Sequence, residues 1–147
     1  MDRELILTTL FAQLKTLPGL KKTSRRVQHW SEIDSSQQPY LAMGAGNQTP
    51  TNDKSGVPVY YEIDVKLYLY VTSMNEEVPP SLLLNQYLDR LDTILTPPAP
   101  GTPWPAGYVS LGGLVRHVWV VDTIETSGDV LGNQGVALIP LRILANA

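Results

Sequence analysis

The stretch Val57-Pro-Val-Tyr-Tyr-Glu-Ile-Asp-Val-Lys-Leu-Tyr-Leu-Tyr-Val71 decides the fold. Every odd position in it is apolar: Val57, Val59, Tyr61, Ile63, Val65, Leu67, Leu69 and Val71. The even positions are Pro58, Tyr60, Glu62, Asp64, Lys66, Tyr68 and Tyr70. Alternation of this kind puts one face of a strand on a core, and it is sustained far beyond the ~5–6 residues of an ordinary strand. The other face carries acids, a lysine and three tyrosines, which is unusual for a face that meets only water.

The segments on either side supply the partners of this strand. Residues 2–16 read as a helix, with Asp2 and Glu4 in its first turn and Ile6, Leu10, Leu14 and Leu17 in one stripe. Pro18-Gly19 ends it. Residues 21–30 read as a short strand with a basic face, and 39–43 as another, stopped by Gly44 and Gly46. The following Asn47-Gln-Thr-Pro-Thr-Asn-Asp-Lys-Ser-Gly56 has no apolar side chain except proline and reads as a loop or an extended hairpin tip. After the long strand, Pro79-Pro80 suits a helix start. Leu84, Leu88, Leu91 and Leu95 give that helix its stripe. Residues 96–107 hold five prolines in twelve positions and read as a stiff loop carrying Trp104. A strand over 114–125 and a last strand over 136–144 follow, with Pro140 marking an edge or a bulge. The expected fold is a single α+β domain over 1–147. It has a twisted, mostly antiparallel or mixed sheet of about five strands, with two main helices packed on one face.

Composition narrows the function. The chain has 147 residues, no cysteine and a net charge of −3. Thiol chemistry and cysteine-based zinc sites are excluded. The charge is too mild to suggest nucleic-acid readout, and no stretch approaches the ~20 apolar residues of a membrane span. The start of the chain lacks the basic and apolar pattern of a signal peptide, so a soluble protein made in a cytoplasm is expected. Five of the 11 Lys and Arg lie at Lys15, Lys21, Lys22, Arg25 and Arg26, whereas acids gather at Glu62, Asp64, Glu76, Glu77, Asp89 and Asp92. A solvated basic turn explains the first group; complementary patches for head-to-tail contact between copies are the alternative.

No catalytic constellation emerges. His29 and His117 sit beside tryptophans and read as packed or surface histidines rather than a metal pair. Glu62 and Asp64 share a strand face with Lys66, which suits a charge row better than a pair of catalytic carboxylates. Gly44-Ala-Gly46 and Gly112-Gly113 lack the helix a dinucleotide loop needs, and there is no phosphate loop or nucleophile elbow. No cofactor is expected. What remains is surface: tyrosine, tryptophan and arginine are the types enriched where proteins bury interfaces. The candidate subunit interface is Tyr60, Glu62, Asp64, Lys66, Tyr68, Tyr70, Arg25, Arg26, Arg116 and Trp119. The candidate mobile-loop contacts are Asn47, Asp53, Lys54 and Trp104.

Several pieces, in order, resemble a known group. They are Thr23-Ser-Arg-Arg-Val-Gln-His-Trp-Ser31, Gln38-Pro-Tyr-Leu-Ala-Met43, Tyr68-Leu-Tyr-Val71, Leu111-Gly-Gly-Leu-Val-Arg-His117, Ile124-Glu125 and Leu131-Gly-Asn-Gln-Gly-Val-Ala-Leu-Ile-Pro-Leu-Arg-Ile143. Together they are similar to the tail terminator, or tail completion, proteins of long-tailed bacteriophages and prophages (minor tail protein U-like). The resemblance implies a non-enzymatic virion protein of the tail, assembled in the host bacterial cytoplasm. It implies a homo-oligomeric ring, a hexamer, that binds the last ring of tail-tube protein, stops tube growth and offers its other face to the head-side connector. A head–tail joining or tube subunit is the near alternative, and a small binding module or hydrolase the remote one.

Overall fold

The computed structural model describes residues 1–101 and 107–147. Its elements, in chain order, are α1 (Arg3–Leu14), β1 (Lys22–Ser24), β2 (Tyr40–Asn52), β3 (Pro58–Thr72), α2 (Pro80–Ile94), β4 (His117–Val120), β5 (Glu125–Leu131) and β6 (Gln134–Asn146). Two single turns of 3-10 helix lie between β1 and β2, at Trp30–Glu32 and Ser35–Gln37. One sheet runs in the order β1-β2-β3-β6-β4, with β5 also on β6. The α+β expectation holds, with six strands in place of about five and with one parallel pair, β1 on β2.

The alternation read from 57–71 builds the centre. β3 pairs with β2 on one side and with β6 on the other, both antiparallel. Its odd residues from Ile63 to Val71 are buried, facing Leu41 and Met43 of β2 and Ala137, Ile139, Leu141 and Ile143 of β6. Both helices close this face. Ile6, Leu7, Leu10 and Leu14 come from α1, and Leu84, Tyr87 and Leu91 from α2. The stripe does not stay buried to its beginning. Val59 is 39% exposed and Val57 56%, because β3 outruns the helix layer. The helix layer starts at Arg3, whose guanidinium lies 4.7 Å above the Tyr61 ring.

Local chemistry places the helices. Asp2 caps α1 rather than joining its first turn, with Oδ1 accepting from the Leu5 N–H at 3.0 Å. Gly19 then turns the chain at a φ of +88°, and a Cβ there would stand 2.7 Å from the Tyr87 hydroxyl oxygen. α2 begins at a proline preceded by a proline, so its own N-cap supplies no side chain. Asp129 of β5 substitutes, its Oδ1 accepting from the Ser81 N–H at 3.4 Å.

Two expectations about strands are corrected, and a third resolves to one of its two readings. Residues 47–56, read as a loop or an extended hairpin tip, are the hairpin tip: the outer half of β2 followed by a tight turn. In that turn Asp53 Oδ1 accepts from the N–H groups of Ser55 and Val57 at 2.8 and 3.0 Å. The sequence leaves the two readings open because the segment is exposed throughout, so no buried face imposes a period on it. A register shift between Ala45 and Gln48 marks a bulge at Gly46-Asn47. The basic strand over 21–30 shrinks to Lys22–Ser24. The predicted strand over 114–125 is two strands that divide the outer edge of β6: β4 pairs with its later half and β5 with its earlier half. Pro140 lies at the division. Its carbonyl accepts from the Val121 N–H at 3.0 Å, and its missing N–H would have faced the same edge, so the ladder stops there. Residues 109–115 instead plug the core with Val109, Leu111 and Val115.

β5 is held against α2 by a close backbone approach. A Cβ on Gly128 would stand 2.8 Å from Ser81 Cα, a backbone atom that cannot turn aside. Gly128→Ala is expected to destabilise the domain by about 1–3 kcal/mol, measured as a lower midpoint in urea unfolding.

Candidate functional site

The face of the sheet opposite the helices carries the residues singled out above, and it divides into two parts. At one end the chain covers itself. Residues 27–37 fold over Tyr40, Ala42 and Tyr70, and Ile33 enters a second small core with them. The Tyr70 hydroxyl donates to the Gln28 carbonyl at 2.7 Å. Burial pushes its phenol up to about 12, with Tyr68 and Tyr40 adding to the shift. Tyr70 is 4% exposed and is therefore core, not a candidate for contact with another subunit. Tyr68 is half-buried against the same cluster. The sequence did not reveal this cover because residues 27–37 are polar and nearly aperiodic; only Ile33 reaches far inside.

The middle of the face is a charge row, and one of its members was missed. Glu62 and Asp64 do not stand as a free acidic pair. Arg142 of β6, directly opposite Asp64 in the register, bonds its Oδ1 through Nε at 2.8 Å and reaches Glu62 Oε2 at 3.5 Å. The bond to Asp64 pushes the guanidinium pKa up. One guanidinium thus engages both carboxylates, and the three side chains form a single charge row on this face. The available signal was parity: Arg142 occupies the outward phase of a strand whose odd positions are apolar. Lys66 is exposed next in the row, opposite Pro140.

The far end of the face is aromatic and cationic. The Trp119 and His117 rings stack at 5.1 Å and 14°. Tyr108 meets His117 edge-on at 5.4 Å. Arg116 lies 4.3 Å over the Tyr60 ring and bonds Asn146 Oδ1 at 2.7 Å. Tyr108, Arg116, His117 and Trp119 line a groove of about 520 Å³, together with Val115 and Leu144. The structure therefore brings Tyr60, Arg116 and Trp119 into one patch, with Glu62, Asp64 and Lys66 beside it on the same face.

The remaining candidates lie elsewhere. Arg25 forms an ion pair with Glu4 of α1, and Arg26 is exposed beside it, both at the β1 edge. Asn47 sits in the β2 bulge, and Asp53 and Lys54 in the turn that joins β2 to β3. Hydrogen bonds from Ser55 and Val57 hold the Asp53 carboxyl below its usual range. Trp104 lies outside the described residues. Among the described residues no group of three or more His, Asp or Glu could hold a metal ion, and no helix is long and apolar enough to cross a membrane.

No protein-family model matches the chain, and no curated protein matches it.

His117 gives the patch a measurable signature. Its Nδ1 accepts from the Val109 N–H at 3.0 Å, which requires the unprotonated ring, and burial lowers its pKa from 6.5. With the folded value below the unfolded one, this contribution to stability is complete above the unfolded value. It declines as the pH falls from there through the folded value. Ring-proton NMR is expected to give His117 a midpoint below 6.5; a midpoint at or above that value would refute the assignment.

Proposed function

We propose that the chain is a tail terminator of a long-tailed bacteriophage or prophage. In this reading it has no catalytic role. It closes as a ring of identical copies on the last ring of tail-tube protein, ends tube growth and presents its other side to the head-side connector. It works in the virion tail, after assembly in the cytoplasm of the host bacterium.

One observation carries the reading: the outward face of the sheet ends in an apolar groove lined by Arg116, His117 and Trp119, with the Tyr60 ring beneath the Arg116 guanidinium. These are the residue types that dominate binding energy where proteins meet. The groove is lined mainly by apolar and aromatic groups, and His117 Nδ1 and Arg116 Nε are already engaged with neighbours in the same chain. That suits docking of a protein surface better than chemistry on a small substrate. The order of the resembling sequence pieces and the α+β fold with two helices on one face support the same conclusion. The β2–β3 arm adds an exposed lever beyond the helix layer, with the apolar Val57 and Val59 on one face.

The direct experiment adds the purified protein to polymerising tail-tube subunits. Tubes are expected to stop growing and to carry the protein at one end by electron microscopy. Unchanged tube lengths would reject the reading, and co-polymerisation along the whole tube would make it a tube subunit instead. Within the patch, Trp119→Ala is expected to weaken capping at least about tenfold, as loss of a buried aromatic anchor does. Far-ultraviolet circular dichroism checks that the variant remains folded.

A further inference from the structure

The two outer edges of the sheet carry opposite charge. The β1 edge displays Lys21, Lys22 and Arg26, all exposed, in a stretch that contains no acid between Glu4 and Glu32. The opposite edge, formed by β5 and the turn before it, displays Asp122 and Glu125, also exposed. No Lys or Arg occurs from His117 to Leu141. These acids are not the ones that the sequence singled out. Glu62 and Asp64, in the middle of the sheet, are already held by Arg142.

Both edges also leave one side of their backbone unpaired in the sheet. Among the described residues β1 pairs only with β2, and β5 only with β6. Natural sheets commonly blunt such edges with charge. Like charges on both edges would make copies repel. Opposite charges do the reverse, since the basic edge of one molecule attracts the acidic edge of the next. The two edges are different surfaces, so the contact is heterologous and repeats head to tail, either closing into a ring or running on as a filament.

We propose that a second copy of this chain docks its acidic β5 edge against the basic β1 edge of the first. The contact rests on the ring reading above and locates it: copies meet edge to edge. The outward face, with its aromatic patch, is left for a different partner. Charge complementarity of this kind governs which surfaces meet and makes association sensitive to salt.

The test uses two charge-reversed variants of the full chain, Lys22→Glu with Arg26→Glu, and Asp122→Lys with Glu125→Lys. All four positions are exposed, and thermal melts check that each variant folds like the parent. By sedimentation velocity the parent is expected to associate at low ionic strength and to dissociate as salt rises. Each variant alone is expected to associate at least about tenfold more weakly, because one junction now sets like charges together. An equimolar mixture of the two is expected to recover association, because every alternating junction again joins opposite charges. The proposal is overturned if either variant associates as tightly as the parent, if the mixture fails to recover, or if the parent stays monomeric at low salt. Tube capping is scored separately. A parent that caps tubes while its variants assemble normally defeats the edge contact and leaves the terminator reading intact. Recovery in the mixture without any effect on tubes supports the edge contact and defeats the terminator reading.

Discussion

The structure depends on β3 being hydrogen-bonded along both sides. Its register with β6 runs unbroken from Tyr60 to Thr72, and β2 matches it on the other side apart from the bulge at Gly46-Asn47 and a shift near the turn. A strand fixed on both sides cannot slip by one residue, since a slip would turn every buried side chain outward. The two faces of β3 are therefore committed to separate tasks. Leu67 and its odd-numbered neighbours hold the helices, and the even positions run from the small core around Tyr70 through the Arg142 charge row to the patch around Tyr60.

Glycines set how closely the outer pieces approach this frame. Gly46 lets the bulged β2 lie against the Asp64 carbonyl, which a Cβ would meet at 3.0 Å. Gly135 plays the same part where β6 passes beneath α2, between Val71, Leu84 and Pro80. Together with Gly128 these contacts bind α2 to the start of β6 and the end of β5. The loop after β3 closes back on the same end, with the Ser73 N–H donating to the Asn133 carbonyl at 2.7 Å.

The outward face shows how burial and pairing redistribute function among residues that look alike in the sequence. Tyr60, Tyr68 and Tyr70 share one phase of one strand. Residues 27–37 reach over Tyr70 and partly over Tyr68, whereas Tyr60 meets Arg116 instead. The three therefore pass from core to surface patch in ten residues. Acids divide in the same way. Asp64 is engaged by Arg142 and Asp129 by the start of α2, while Asp122 and Glu125 remain exposed at the sheet edge.

The sequence by itself determined the elements whose buried faces impose a period. The alternation over 57–71 and the leucine stripes of both helices were legible because water exclusion repeats at the spacing of the backbone. Only the tertiary structure decided what has no buried face or depends on a distant partner. The outer half of β2 is strand because it pairs with β3, not because of its own side chains. The strand expected over 114–125 divides because Pro140 interrupts the edge on which it would have continued. Arg142 joins Glu62 and Asp64 across 78 positions of chain in its bond to Asp64, a relation set by sheet register. Residues 27–37 cover Tyr70 through one buried isoleucine and a hydrogen bond to a backbone carbonyl, neither of which leaves a periodic trace in sequence.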